Sequence, residues 1–401
     1  VQFAAEPEKE LIERYLVLGL RLGRHIDGLV DSYTGPGEYK EFTDNESPRE
    51  PLRLKISAKG LLADLEHAAP IVGSRRAAWL TAQVQGMQVT AERIGGASIG
   101  YLDEVERCYG VRPSLVDESA FEEAHVALNE VLPGSGSIGE RLIAWSESQP
   151  VPVDVLPRAI DALAADLRDE TRRLFGLPDE ERVTFDLVSD QPWSGFNYYL
   201  GNFQSRVAIN TDLPVLARGL AHLVAHEAYP GHHTEHSRKE AGIVRRDKHL
   251  EETIQMVGTP QCLVSEGLAD LGLEILWPTD REERLATYLR PLGVHFEPEI
   301  SARVSKAAKT LAGVRTNAAI LLHDQGMPVD DAVAYIERWA LINHARAVKS
   351  LQFMTDPVWR AYSFCYSEGY RLCKAYAKGD ATRFGDLITD QLTTADLIAA
   401  A

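Results

Sequence analysis

The chemistry in this chain concentrates in His226-Glu227-Ala228-Tyr229-Pro230-Gly231-His232-His233, followed roughly 40 residues later by Glu266-Gly267-Leu268-Ala269-Asp270. A histidine followed directly by glutamate on a helix, a second histidine just downstream and a carboxylate on a later helix are the parts of a zinc hydrolase site. Neutral imidazoles and one carboxylate hold the metal, and the glutamate beside the first histidine handles protons. The usual spacing is His-Glu-x-x-His, and here Pro230-Gly231 interrupts it.

That interruption decides which histidines can meet. In a straight helix His226 and His232 would stand about 9 Å apart on nearly opposite faces, and His226 and His233 about 10 Å apart on one face. Neither pair could share a zinc, whose nitrogens lie about 2.0–2.1 Å from the metal. Pro230 forbids the straight helix: it has no amide hydrogen for the carbonyl of His226, and its ring clashes there. Gly231 then admits backbone angles that other residues resist. Together they can swing a later histidine back. His232 is the smaller departure and the preferred ligand, with His233 its rival. The dipeptidyl peptidase III family is similar in carrying one extra residue between its two histidines.

Glu266 is the natural third ligand, with an open fourth position for water and one zinc per chain. Asp270, one turn further on, shares its helix face and can accept the free ring N–H of a ligand histidine. Glu227 is turned about 100° from His226, so it is free to act as general base and then acid. Rival readings accompany these. His222 is expected as a satisfied helix histidine, although His222 and His226, four apart, also make a two-point metal site. His236 is expected on an exposed polar face, and Cys262 as a buried thiol. The ligand types suit zinc best, but cobalt or manganese could take them.

The elements that must position these residues read mostly as helix. Apolar periodicity predicts helices over 10–29, 56–66, 75–94, 121–131, 138–148 and 155–174, then over 216–229, 303–322, 329–342, 345–353 and 358–377. Asp31-Ser32-Tyr33-Thr34-Gly35-Pro36-Gly37 reads as a turn. Alternation and β-formers predict strands at 183–188, 196–200 and 205–210, the last two joined through Gly201-Asn202. No repeat, low-complexity tract or linker is evident. The expectation is a mainly α protein with a small β-sheet next to the metal-binding helix. It would form one compact unit over 1–401, with a helical part at 1–178 and the sheet and metal-site part at 179–401.

Composition narrows the partners. The chain has 401 residues, 45% hydrophobic and 25% charged, as in an ordinary globular protein. A net charge of −17 leaves no basic surplus for phosphates, which argues against nucleic acid and anionic membrane surfaces. No apolar run reaches the roughly 20 residues of a membrane span. Residues 1–30 lack a signal-peptide pattern, so the expected compartment is the cytoplasm. Cys108, Cys262, Cys365 and Cys373 are too scattered for a disulfide scaffold, and reduced, buried thiols are expected.

The octet resembles the hallmark His-Glu-x-x-Pro-Gly-His-His of a bacterial family catalogued as a domain of unknown function, number eight-eight-five. Glu266-Gly267-Leu268-Ala269 is similar to its Glu-Gly-Trp-Ala segment, with leucine for tryptophan. Cys365-Tyr366-Ser367-Glu368-Gly369 is similar to its Ser-Tyr-x-x-Gly segment, with cysteine for serine. Ser32-Tyr33, Gly35-Pro36 and residues 198–210 add weaker likeness, so the resemblance spans nearly the whole length. It implies a zincin-like helical metallopeptidase architecture and metal-dependent hydrolysis of peptides or related amides. It also implies that Tyr366 stabilises the oxyanion of the tetrahedral intermediate.

Three further residues are expected at the substrate. Arg371 would grip a carboxylate through a bidentate pair. Ser205–Asn210 would be an edge strand for an extended peptide, with Arg206 or Asn210 fixing one end. The reading is a zinc-dependent peptidase of short peptides, an exopeptidase or dipeptidase. An amidohydrolase of a non-peptide amide and a non-catalytic helical metal-binding or interaction protein are the alternatives.

Overall fold

The structure, a computed structural model, describes residues 6–191 and 193–400; residues 1–5, 192 and 401 lie outside it. Helices fill most of the first half: Glu6–Gly23, Pro51–Leu65, Ser74–Ile94, Tyr101–Tyr109, Glu118–Val131, Ile138–Glu147 and Leu156–Phe175. Local chemistry sets several ends. Asp117 caps the helix Glu118–Val131 by accepting from Ser119 N. Ser137 and Glu140 form a reciprocal capping box on the next helix.

The turn formers after the first helix hold a strand. β1 (Val30–Tyr33) pairs antiparallel with a partner more than 200 residues away, so nothing local announces it. Strands β2 (Arg182–Val188), β3 (Gly195–Gly201) and β4 (Gln204–Asn210) form a three-stranded sheet in the order β2-β4-β3. β5 (Ile254–Met256) is the distant partner of β1. The β3–β4 hairpin turns on Asn202 and Phe203, both with positive φ (53° and 60°), as a two-residue turn of this hand requires.

One expectation is corrected here. Ser205–Asn210 is not an edge strand: β4 pairs in parallel with β2 on one side and antiparallel with β3 on the other, so both its ladders are taken. Its Val207-Ala208-Ile209 run is buried throughout, the mark of a strand covered on both faces rather than of an edge. Residues 303–322 also differ from expectation. The chain forms Pro298–Ala307, a tight turn at Lys309–Ala312 and then Gly313–His323, which brings Val304, Leu311 and Val314 into one cluster with Phe121 and Trp339.

Two packing relations carry the site. The histidine helix (Ala217–Glu227) buries Leu220, Val224 and Ala225 against Val207 and Ile209 of β4 and against Leu163 and Leu167 of the helix Leu156–Phe175. The carboxylate helix (Pro260–Leu276) crosses the helix Ser363–Ala377 with backbones in contact. A Cβ on Gly267 would lie 2.3 Å from the carbonyl of Gly369. Only glycine at both positions permits that approach, and it sets the residues around Glu266 against those around Tyr366. All four cysteines are free and buried. No helix among the described residues is long and apolar enough to cross a membrane. The fold is mainly α with a small sheet beside the histidine helix, and the clustered histidines and carboxylates lie next to that sheet.

Candidate metal centre

The histidine helix stops where proline chemistry says it must. It ends at Glu227, and Ala228 leaves the helical region. Gly231 N then donates to Ala225 O at 2.9 Å, folding the chain back before a new helix begins at His232 (His232–Lys239). Gly231 lies so close to the preceding turn that an added Cβ would fall 1.9 Å from the carbonyl oxygen of His226. The fold-back brings His226 Nε2 and His232 Nε2 to 3.2 Å.

Glu266 closes a triangle with them. His226 Nε2 lies 3.4 Å from Glu266 Oε2, and His232 Nε2 lies 3.3 Å from Glu266 Oε1. Zinc–ligand bonds of about 2.0–2.1 Å arranged tetrahedrally give ligand–ligand edges of about 3.3–3.4 Å. The two histidine nitrogens are separated by close to such an edge, and each has one Glu266 oxygen at a similar distance. Glu266 is buried, yet its Oε2 has no hydrogen-bond partner, an exposed cost that a cation removes. His226, His232 and Glu266 therefore fit a metal ion. His222, His226 and Asp270 form a second group whose ligand atoms lie within 4.8 Å of one another, sharing His226.

Each ligand is held from behind. His226 Nδ1 meets Asp270 Oδ1 at 2.9 Å, which leaves Nε2 facing the cluster. Asp270 also lies 3.3 Å from the half-exposed His222. His232 Nδ1 lies 3.2 Å from Ser265 Oγ, which donates to Glu235 at 2.5 Å. Lys239 pairs with Glu235 at 2.8 Å and with Glu252 at 3.3 Å, so a buried charged chain backs the second histidine. Tyr362 donates its hydroxyl to Glu266 Oε1 at 2.5 Å. Burial alone would discharge His226 and His232. Asp270 and Glu266 outweigh it at His226, and Glu266 does so at His232, so both rings sit above ordinary histidine values. Burial alone would raise Glu266, but His232 and His226 hold it at about 2.

The cluster opens into a cavity of about 70 Å³ whose lining includes Glu227, Tyr366, Asn197, Asp31 and the aromatic rings of Phe353, Trp359 and Tyr362. Burial pushes Glu227 up, against the partial pull of His226 and His232. Tyr366 stacks 6.2 Å from the His226 ring, and among the described residues its hydroxyl has no hydrogen-bond partner. Burial pushes Asp31 up to about 7, offset in part by His232.

Comparison with known proteins adds the fold and no more. A candidate lipoprotein from Colwellia psychrerythraea is similar in structure, with a TM-score of 0.52 at 16% identity over 86% of this chain and 69% of that one. A second candidate lipoprotein, of unknown function, from Shewanella oneidensis aligns with a TM-score of 0.43 at 16% identity, over 96% and 72%. The M32 carboxypeptidase from Deinococcus radiodurans R1 aligns with a TM-score of 0.39 at 14% identity, over 95% and 88%. No family profile matches the chain, and no curated protein matches its sequence.

Several residues singled out in the sequence lie elsewhere. His233 turns away from the cluster and spends both ring nitrogens, Nε2 on Glu181 at 3.0 Å and Nδ1 on Ser205 at 2.9 Å. Arg371 is largely exposed and paired with Glu368 on its own helix, so it reaches no cavity. Arg206 lies over the Tyr198 ring and pairs with Asp186, while Asn210 holds the carbonyls of Gln191 and Trp193. Neither lines the cavity, because β4 is the sheet's centre. His236 is not on a solvated face: it is buried and stacked 4.7 Å from Tyr199. Cys262 is buried and lines the cavity beside Ser265.

Sequence reasoning passed over Tyr362, Ser265, Asn197 and Asp31. Tyr362 was findable, being one helical turn before Tyr366 and so on the same face. The other three depend on long-range packing.

Glu181 anchors the displaced His233 and carries a pH prediction. Burial alone would raise its pKa, but hydrogen bonds from His233, Tyr229 and Arg168 hold it at about 2, against an ordinary 4.5. A depressed carboxylate stabilises the fold above its unfolded value and loses that contribution as pH falls toward the folded one. Stability measured by denaturant unfolding should therefore drop between pH 4.5 and about 2, by on the order of 1–2 kcal/mol after allowing for solvent screening. Glu181→Gln should flatten this acid limb. An unchanged limb in the variant would assign the acid sensitivity to other groups.

Proposed function

We propose that the protein is a zinc-dependent hydrolase that cleaves amide bonds of short peptides. The observation that carries this reading is the convergence of His226, His232 and Glu266, whose imidazole nitrogens stand 3.2 Å apart and 3.4 and 3.3 Å from the two Glu266 oxygens, on a cavity that Glu227 also lines. The likeness of the octet to the zinc-peptidase family named above supports it.

His226, His232 and Glu266 would hold a zinc ion, which would supply Lewis acidity for hydrolysis. Glu227 takes the proton of the attacking water and delivers it to the leaving amine. The unpartnered Tyr366 hydroxyl donates to the oxyanion that develops on the carbonyl. Tyr362 and Asp270 fix Glu266 and His226 in the required orientation. The aromatic rings around the cavity exclude water from the reacting atoms, which strengthens each of these interactions.

Metal content tests the reading directly. Protein purified without a histidine tag or added metal should contain about one zinc per chain by elemental mass spectrometry. A chain that stays free of metal after zinc is supplied would leave only the helical interaction protein.

A further inference from the structure

Among the described residues Asp31 has no hydrogen-bond or ion-pair partner. It lines the cavity half-buried. Its position is built. Val30 pairs with Met256 and Ser32 with the adjacent Gln255, so Asp31 is the extra residue of a β-bulge. Bulges interrupt a ladder and re-aim one side chain, here toward the cavity.

A second acceptor belongs to the same cavity. Asn197 of β3 is only 7% exposed, and it lines the same cavity. Its Nδ2 donates to Glu227 O at 2.6 Å, which fixes the amide and leaves Oδ1 buried without a donor. β1 packs beside β3, so both acceptors come from one wall. A buried acceptor without a donor is costly, and a ligand that brings N–H groups removes the cost.

The charges agree. Asp31, Glu227 and Glu266 line the cavity, and no lysine or arginine does. Arg371 is paired on the surface, and Arg315, whose charge is felt at Tyr366 and Asp270, lies outside the lining. This acidic lining without a basic side chain favours a cation over a carboxylate. The ring faces of Trp359, Phe353 and Tyr362 favour a cation too.

We propose that Asp31 and Asn197 hold the primary ammonium at the amino end of the substrate, which makes the hydrolase an amino-terminal exopeptidase. The assignment of the cleaved end rests on the zinc-hydrolase reading above; the ammonium site does not.

The test compares trialanine with N-acetyl-trialanine. Binding is measured by titration calorimetry on zinc-loaded Glu227→Gln protein, and release of alanine by chromatography on zinc-loaded wild type. Free trialanine should bind roughly 10- to 100-fold more tightly than the acetylated peptide, as a charged hydrogen-bonded contact warrants. Adding Asp31→Asn should bring the two within about 3-fold by removing that charge. Equal affinity for both peptides, a ratio untouched by Asp31→Asn, or no binding of either would overturn the ammonium site. If Asp31→Asn does not fold, the comparison of the two peptides still decides. Discrimination in binding without any release of alanine would sink the hydrolase reading and leave the ammonium site standing. Equal release from both peptides would sink the exopeptidase assignment alone.

Discussion

Replacing Glu227 with glutamine is expected to slow peptide hydrolysis by about 10²- to 10⁴-fold while the zinc stays bound, the range a positioned general base contributes. Glutamine keeps the shape and removes only the capacity to accept a proton. The pocket for that shape is tight: a Cβ on Gly195 would lie 2.7 Å from Glu227 Oε1, so β3 closes over the carboxylate. Glu227 is not one of the three converging ligands, so zinc content should not change. Turnover and elemental analysis on the same sample check both halves. Undiminished turnover would remove Glu227 from the chemistry, and lost zinc would make it a ligand.

Gly231→Ala should be as severe by a different route. The added methyl would lie 1.9 Å from His226 O and 2.6 Å from Ala225 O, both rigid backbone atoms at the end of the histidine helix. The turn must open, and His232 is the next residue. Overpacking of this kind costs about 1–3 kcal/mol or more. Displacing a ligand should weaken zinc binding by at least the roughly 10- to 100-fold that disturbing a supporting partner costs. Competition with a chelator of known affinity measures the second effect, and thermal unfolding the first. A variant that binds zinc like wild type would show that the fold-back does not depend on glycine.

The helices of this protein were readable because their apolar faces repeat within the helix itself. The two histidines and Glu266 could be brought together on paper because Pro230 and Gly231 act locally on the backbone. His232 could be preferred over His233 on that basis, but the reason His233 is excluded lies in Glu181 and Ser205, which the sequence does not place near it. Arg206 and Asn210 were assigned to an edge because pairing order cannot be read from strand pattern alone. β2, β3 and β4 each look like a strand, and only the parallel crossover puts β4 in the middle. Arg371 was assigned by its charge, and its helix partner Glu368 claims it. Asp31 hid inside a run of turn formers, since its bulge exists only against β5. The chain of Ser265, Glu235, Lys239 and Glu252 behind His232 was equally invisible, being assembled from three separate segments.

The pairing of β1 with β5 and the contact of Gly267 with Gly369 also set an order of events. During synthesis the histidine pair can form once residues near 240 have emerged, but it then faces no complete cavity. The wall carrying Asp31 must wait for β5, and the wall carrying Tyr362 and Tyr366 must wait for the helix Ser363–Ala377, roughly 100 residues beyond Glu266. Contacts of such long sequence separation form late, because loop closure must precede them. A nascent chain therefore lacks the complete cavity around the two histidines until the helix Ser363–Ala377 has been made.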